Sequence, residues 1–324
     1  MIRFTTLCLA FLLLVGAVGT AQAQSQAGAQ STLIAPGARS DGMGRAFAAV
    51  SDDANMIWWN PGAMAFARSH DASIMYTQLV PDLAPDVNFS YFSYVQHVEG
   101  WGGLGAAVSY LNYGTSQGTD AEGNPTVDFT SYEIVPTIAY GTELADNLGF
   151  GVSLKYIRVD LAPAAAATLD GQAGAGTTFA ADIGTLYKVP KWKAAFAAII
   201  QNLGPDIAYI DEDQSDPLGR NLKVGLSYTP FSNEIHRVLI AADANRLLLP
   251  DEQLAVSVWD AGIEYEFNRL IALRAGYVSD PTGDITDYTW GMGLGYKGFR
   301  FDYASYPQSS YLDRVNRFSA SYHF

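Results

Sequence analysis

Histidines are the side chains of this 324-residue protein best suited to proton transfer or metal binding, and they are scattered along it. His70, His97, His236 and His323 lie far apart, and none stands in an H-E-x-x-H motif or beside a G-x-S-x-G motif. The single cysteine, Cys8, lies in an N-terminal apolar run. These patterns indicate neither a nucleophile with its base nor a thiolate metal site. We therefore expect a protein that is not an enzyme and has no cofactor.

One group of potential ligands does cluster, in a polar stretch of the second half of the chain. Asp211, Glu212, Asp213 and Asp216 lie within six positions and could bind Ca²⁺ through carboxylate oxygens, although a solvated acidic loop is the favoured interpretation. The formal net charge of −14 argues against a nucleic-acid partner, because phosphate binding requires clustered Lys and Arg side chains. The net charge therefore argues against nucleic acid as a partner and does not identify a substrate.

The first residues predict export. An early arginine, an apolar run and the small residues of "AQAQ" are typical of a secretory signal peptide over residues 1–23. No later stretch approaches the roughly 20 apolar residues that a membrane helix requires. Hydrophobic residues still make up 49% of the chain and aromatic residues 13%. A secreted β-domain and an outer-membrane barrel are the two architectures that fit this composition.

The elements after residue 70 alternate between apolar and polar side chains. In "RFSASYHF", Phe318 and Tyr322 share one face while Arg317 and Ser321 share the other, and other segments repeat this period of two. Fourteen segments begin near Ala72, Val87, Gly102, Ser131, Leu148, Phe179, Lys193, Leu222, Arg237, Val256, Ile271, Tyr288, Phe299 and Val315.

The connections between these segments favour the barrel over the secreted domain. Short turns such as "VEGW" and "YKGF" alternate with long polar connections such as "SQGTDAEGNPTVDF", as in outer-membrane proteins. The sequence thus predicts an all-β fold: an antiparallel transmembrane β-barrel of about 14 strands over residues 71–324, in the outer membrane of a Gram-negative bacterium. Outward Val152, Leu154 and Ile263 should contact lipid, and arginine should be tolerated better at inward Ser153.

Charged residues on the inward faces could pair between neighbouring strands and hold the barrel wall to a central plug; a substrate path is the other interpretation. These residues are Asp260, Glu264, Glu266, Arg274, Arg300, Asp302 and Arg317. Many of the remaining inward positions are Gly, Ala or Ser, which leaves room inside. The segment between signal and first strand, residues 24–70, is the predicted plug.

The plug segment contains a tryptophan pair before an Asn-Pro-Gly turn, in "MIWWNPGAMAF". Asn60 and Pro61 predict the start of a short helix over Pro61 to Ala67, since Asn caps helices and Pro fits their first turn. Trp58 and Trp59 should pack where plug and wall meet, or else anchor the chain at the membrane interface. Three glycines suited to backbone turns complete the motif: Gly37, Gly42 and Gly44.

Several of these stretches resemble one family. "TLIAPGARSDGMG", "WNPGAMAF" and "YTQLVPDLAPDVNFSYFSYV", with the "RFSASYHF" ending, are similar to the PorV/PorQ family of type IX secretion, within the superfamily of FadL-like barrels. The resemblance implies an outer-membrane carrier that binds exported cargo proteins by their C-terminal signal domains and passes them to other secretion components.

The resemblance also places the contact surface. The outer loops would bind the cargo, with Tyr209, Tyr311 and the acidic residues between 211 and 216 as candidate contacts, while the outward strand faces would contact outer-membrane lipid. The alternative within the superfamily is a FadL-like transporter of hydrophobic small molecules, which requires an apolar path through the barrel.

Overall fold

The fold was obtained as a computed structural model, which describes residues 27–120, 124–164, 166, 173–210, 215–248, 257–281, 283, 285–308 and 312–324. The predicted signal peptide, residues 1–23, lies outside the described residues. Among the described residues, no helix has both the length and the apolar character needed to cross a membrane.

The barrel consists, within the described residues, of fourteen long strands that form a closed antiparallel ring, in which β1 pairs with β16. The predicted fold class of a 14-stranded barrel is thus confirmed. Two short strands, β8 (Ile207–Ala208) and β9 (Ser215–Asp216), form a separate hairpin. The barrel strands are β1 (His70–Val80), β2 (Ala84–Val98), β3 (Gly102–Thr119), β4 (Pro125–Ala145), β5 (Leu148–Ala162), β6 (Gly174–Val189), β7 (Ala194–Leu203), β10 (Arg220–Ser232), β11 (His236–Leu248), β12 (Ser257–Phe267), β13 (Ile271–Asp280), β14 (Ile285–Tyr296), β15 (Phe299–Tyr306) and β16 (Val315–His323).

Tight turns close one end of the barrel, which we call the short-turn end. Asn268 and Arg269 have φ values of 50° and 55°, and Lys297 and Gly298 have 49° and 86°. Two consecutive positive φ values fit the turn type whose twist matches antiparallel strands, and Asn and Gly adopt them at low cost. The opposite end, which carries the longer connections, is the long-loop end.

The barrel wall is much taller on one side of the long-loop end. Strands β3 and β4 have 18 and 21 residues, whereas β15 and β16 have 8 and 9. The stretch "SQGTDAEGNPTVDF", predicted as a loop, is therefore largely strand. Its described residues, 116–120 and 124–129, are mostly exposed and polar on both faces, so the apolar alternation that marks the other strands is absent there.

Apolar side chains cover the outside of the ring. Leu154 is 56% exposed, Ile263 43% and Phe318 58%, and each alternates with buried or half-buried neighbours. A closed barrel with this surface satisfies all backbone groups within the ring, which is the condition for crossing a bilayer.

An arginine at Leu154 should destabilise the barrel by about 2–4 kcal/mol, because it would place a charge on the outward face near mid-strand. Leu144, which is 63% exposed at the short-turn end of β4, is the matched control. Arginine there should cost about 0–1 kcal/mol, since the penalty falls towards the interface. Urea unfolding in phospholipid vesicles measures both values, and equal losses would contradict the assigned membrane depth.

Arginine was predicted to be tolerated at Ser153, but the structure has no space for an arginine side chain there. The Ser153 side chain is fully buried and its hydroxyl donates to Asp182 Oδ2 at 2.9 Å. The same carboxylate forms an ion pair with Lys155 at 2.7 Å. An arginine at this position would overpack a filled interior, so Ser153 is no neutral control.

Residues 27–69, here called the N-terminal segment, run through the inside of the ring. The segment contains two short α-helices, Ala38–Gly42 and Met56–Trp59, and two 3-10 helices, Gln30–Thr32 and Pro61–Phe66. The first α-helix contacts β13 to β16 and the second 3-10 helix contacts β3 to β6, on different sides of the ring. Because most of the segment is buried as well, it fills much of the interior. That it closes the pore to ions remains a prediction.

Candidate functional site inside the barrel

An ion-pair network centred on Glu264 joins the N-terminal segment to the wall. Arg39, in the segment, donates from Nη2 to Glu264 Oε1 at 2.8 Å and from Nε to Oε2 at 2.9 Å. Arg274 Nε donates to Glu264 Oε2 at 2.7 Å from the neighbouring strand. All three side chains are at most 3% exposed. A two-point arginine–carboxylate contact fixes orientation as well as position, so it holds the segment in one register.

Three more of the predicted inward charges, Glu266, Arg300 and Asp302, belong to the same network. Arg274 Nη1 lies 2.8 Å from Asp302, and Arg300 lies 3.0 Å from Glu266 and 3.2 Å from Asp302. Glu264 and Arg274 are direct partners in the β12–β13 register. Glu264 and Arg274 thus pair across neighbouring strands, whereas the Arg274–Asp302 pair spans β14 and the Arg300–Glu266 pair spans β13 and β14.

Partners within the N-terminal segment were not predicted from the sequence. Arg317 lies 3.1 Å from Asp41, which also pairs with Arg45 at 3.0 Å. Asp52 lies 2.9 Å from both Arg39 and Arg237. The signal that could have found them is the presence of charged residues in a segment that must fit inside a charged barrel.

Electrostatics keep the segment charged in its buried position. Burial acts to lower the pKa of Arg39, but the carboxylates of Asp52 and Glu264 outweigh it and raise the pKa well above its usual value. Burial raises the pKa of Asp53 above its usual value, against the attraction of Arg39. Arg39 is therefore a permanent cation, and its charge is matched by Asp52 in the segment and Glu264 in the wall.

A second contact between segment and wall involves Asp243, which the sequence analysis did not single out. Its Oδ2 accepts the N–H groups of Phe47 and Ala48, each at 2.8 Å. Asp260, predicted to face inward, is its direct partner in the β11–β12 register and accepts a hydrogen bond from Asn245 at 2.8 Å. The wall thus binds the backbone of the segment as well as its side chains.

The tryptophan pair packs inside the barrel. Trp58 and Trp59 are 7% and 0% exposed, and their rings meet edge to face at 4.8 Å. Trp59 donates its indole N–H to Pro36 O at 3.1 Å, and Lys223 Nζ lies 4.2 Å from the Trp59 ring centroid. Such burial is incompatible with an anchor at the membrane interface, so that alternative is wrong.

The Asn-Pro turn starts a helix at the predicted place, although the helix is of the 3-10 type. Asn60 Oδ1 accepts from Gly62 N at 2.9 Å, and its Nδ2 donates to Ala48 O at 3.0 Å and Thr185 O at 3.1 Å. One side chain therefore caps the helix and ties it to both the segment and the wall.

The three predicted glycines meet different demands. Gly37 and Gly44 have φ values of 101° and 65°, which L-side chains rarely adopt. Gly42 has no such φ, but a Cβ there would lie 3.1 Å from Gly291 Cα in the wall. The turns and the close approach of segment to wall both depend on the absence of side chains.

One side of the interior is apolar, which the sequence analysis missed. Met75, Phe89, Tyr91 and Leu111, on β1 to β3, are at most 3% exposed and pack in the same core as Trp59. The expectation that inward positions are mainly charged or small therefore holds only for part of the ring. The N-terminal segment covers this apolar surface.

The predicted contact residues of the long-loop end are placed less favourably. Tyr209 is half-buried, packs against a cluster containing Ile207 and Leu218, and has its hydroxyl 3.4 Å from Ala29 N. It supports the N-terminal segment rather than facing outward. Asp216 is exposed in β9. The remaining candidates lie outside the described residues: Asp211, Glu212, Asp213 and Tyr311. Within the described residues, no group of His, Cys, Asp or Glu side chains is arranged to hold a metal ion.

Comparisons with known proteins agree with this architecture. A family model described as type IX secretion system protein PorV matches residues 20–254. Similar solved structures include the toluene transporter TodX of Pseudomonas putida, with a TM-score of 0.58, 16% identity and coverage of 89% of this chain and 97% of that chain. The toluene transporter TbuX of Ralstonia pickettii matches with a TM-score of 0.57, 14% identity and coverage of 89% of this chain and 98% of that chain. A FadL homologue of Pseudomonas aeruginosa matches with a TM-score of 0.50, 13% identity and coverage of 88% of this chain and 98% of that chain. No curated protein sequence matches the chain.

Proposed function

Because this chain belongs to the PorV family of type IX secretion system proteins, we propose that it is an outer-membrane carrier of exported proteins. It binds cargo by the C-terminal signal domain at the long-loop end and passes it to the other secretion components that attach cargo to the cell surface. Its matched family is that of a secretion protein, and its structural neighbours are described as transporters and channels rather than as enzymes.

The observation that carries this proposal is the filled interior. The N-terminal segment contacts both sides of the ring, and the bidentate Arg39–Glu264 pair fixes it to the wall. Because the N-terminal segment occupies the interior and is fixed to the wall, the surface that remains available to a partner protein lies outside the barrel. The tall hairpin of β3 and β4 and the exposed residues Ile210, Ser215 and Asp216 belong to that surface at the long-loop end.

Replacing residues 210–216 with a Gly-Ser linker of equal length should weaken cargo binding while keeping the barrel intact. This exchange removes exposed Ile210 and Asp216 but keeps buried Ile207 and Leu218, which support the N-terminal segment. The affinity for purified C-terminal signal domains should fall at least about tenfold, which is the loss of one good contact of about 1.4 kcal/mol.

The matched control for this experiment changes the short-turn end. Glu234→Ser with Ile235→Ser removes one acidic and one exposed apolar residue there, the same two residue types that the linker removes at the long-loop end, where Ile210 and four acidic residues are exchanged. Binding measured by calorimetry in detergent should be unchanged in this control. Equal affinity of the linker variant and the native protein would contradict the long-loop surface as the cargo site.

The alternative function, transport of hydrophobic small molecules, is favoured by one observation. The inner wall of β1 to β3 is apolar at Met75, Phe89 and Leu111, and the similar structures include toluene transporters. Transport would require the N-terminal segment to leave that surface. Saturable binding of toluene or a long-chain fatty acid at one site, together with no binding of any C-terminal signal domain, would replace the carrier function by this one.

A further inference from the structure

A cavity of about 660 Å³ lies at the short-turn end, between the N-terminal segment and the inner wall of β6, β7, β10 and β11. The segment contributes Ala49 to Asp52, and the ends of the four strands contribute the remainder. Ligand sites in proteins have volumes of about 300–1,000 Å³, so the cavity is large enough for a molecule of several residues.

Three cations line this cavity: Lys188, Lys193 and Arg237. Arg237 pairs with Asp52 at 2.9 Å. Among the described residues neither lysine forms an ion pair, and Lys188 Nζ lies 4.1 Å from the centroid of the Phe66 ring.

The one carboxylate lining the cavity, Asp52, forms no ion pair with either lysine. Asp52 Oδ1 lies 2.9 Å from Arg39, and its Oδ2 lies 2.9 Å from Arg237. Both oxygens are therefore engaged by arginines. The cavity therefore carries two ammonium groups without an ion-pair partner among the described residues, in a chain whose formal net charge is −14, so its positive charge is local.

Hydroxyl groups complete the lining. Ser51, Thr229 and Ser232 lie beside the cations, while Ser227 donates its hydroxyl to Ala49 O at 2.9 Å and is already engaged. Ammonium and hydroxyl donors together suit carboxylate oxygens, which accept several hydrogen bonds each. A single small anion would fill only a small part of the volume.

We propose that this cavity binds a short acidic peptide segment of another protein, presented at the short-turn end. In an outer-membrane barrel that end faces the periplasm. The site is thus distinct from the cargo surface at the opposite end, and it does not depend on the carrier function. Its carboxylates pair with Lys188 and Lys193, and the peptide backbone lies along the hydroxyl side of the cavity.

The test is calorimetric titration of the full-length mature barrel in neutral detergent with a hexapeptide of alternating Glu and Asp. The peptide should bind saturably with one site, and the matched Gln and Asn hexapeptide should not. High salt should weaken binding, because the contacts are between partly solvated charges. Lys188→Gln with Lys193→Gln should lower the affinity at least about tenfold.

Two further variants separate this site from general electrostatic attraction. Lys191→Gln with Lys297→Gln removes two cations from turns at the same end that do not line the cavity, and should leave the affinity unchanged. Lys188→Arg with Lys193→Arg keeps both charges and should retain binding. Equal binding of the acidic and neutral peptides, or equal losses from the two glutamine pairs, would overturn the proposal. Tight binding of inorganic phosphate that excludes the peptide would assign the cavity to a small anion instead.

Discussion

Glu264→Gln is expected to destabilise the barrel by about 3–5 kcal/mol, because it leaves buried arginines without their shared counterion. Glu264 contacts Arg39 through both oxygens and Arg274 through one, at 2.7–2.9 Å. Arg300 and Arg237 lie further away, at 3.5 and 3.6 Å. Glutamine keeps the shape of the side chain but supplies one acceptor oxygen and no charge. The loss should appear as a lower midpoint of guanidinium unfolding in phospholipid vesicles, followed by tryptophan fluorescence.

The matched control is Glu143→Gln, the same substitution in an exposed pair. Glu143 lies 3.0 Å from Arg68, and the two side chains are 38% and 64% exposed. Such surface pairs contribute about 0–1 kcal/mol, so the control should unfold nearly as the native protein does. If both variants lost the same stability, the buried network would not be what fixes the N-terminal segment to the wall.

The strand pattern was predictable where one face of each strand meets lipid. From β12 to β16 the outward face is mostly aromatic or aliphatic and the inward face is mostly charged or small, with Val278, Tyr306 and Val315 as inward exceptions, so period-two alternation identifies both faces. The turns were predictable for a similar local reason, because Asn268 and Gly298 suit positive φ. The resemblance to the PorV/PorQ family, which rested on short motifs, is confirmed by the family match.

The extensions of β3 and β4 and the apolar inner wall were not predictable from that pattern. Beyond the membrane both strand faces are solvated, so apolar alternation disappears. In β2 the opposite happens: Phe89 and Tyr91 face inward while Phe92 faces outward, so aromatic residues stand on both faces and conceal the period. Period-two alternation appears only where the two faces of a strand carry different types of side chain. In these stretches both faces carry the same type, so no alternation is visible.

The partners of the inward charges were also beyond the sequence. Glu264 and Arg274 face each other because strand register places them together. Arg39 lies 225 positions from Glu264, in a segment with only short helices and no repeating pattern. The position of Arg39 depends on turns at Gly37 and Gly44. The local sequence allows these turns but does not determine the direction in which the chain continues.

Deleting residues 35–67 is expected to convert a closed barrel into a conducting one. The deletion removes Arg39, Trp59, Asn60 and both α-helices, which occupy the interior between β3–β6 and β13–β16. The fourteen strands and their turns remain, so the variant should still insert as a β-barrel. In planar bilayers it should carry a steady current, whereas the native protein should carry none. Circular dichroism of the same preparation supplies the control, since it verifies that the variant retains its strands.

The reason to expect conduction lies in the size and chemistry of the emptied ring. Eight-stranded barrels are filled by their own side chains, while barrels of 16–18 strands leave an aqueous channel, and fourteen strands lie close to the second group. The uncovered wall carries Glu264, Arg274 and Asp302, which water would solvate once Arg39 is gone. The apolar residues of β1 to β3 would line only one side. A folded deletion variant that stays silent would show that the strands alone close the pore and that the N-terminal segment is not the plug.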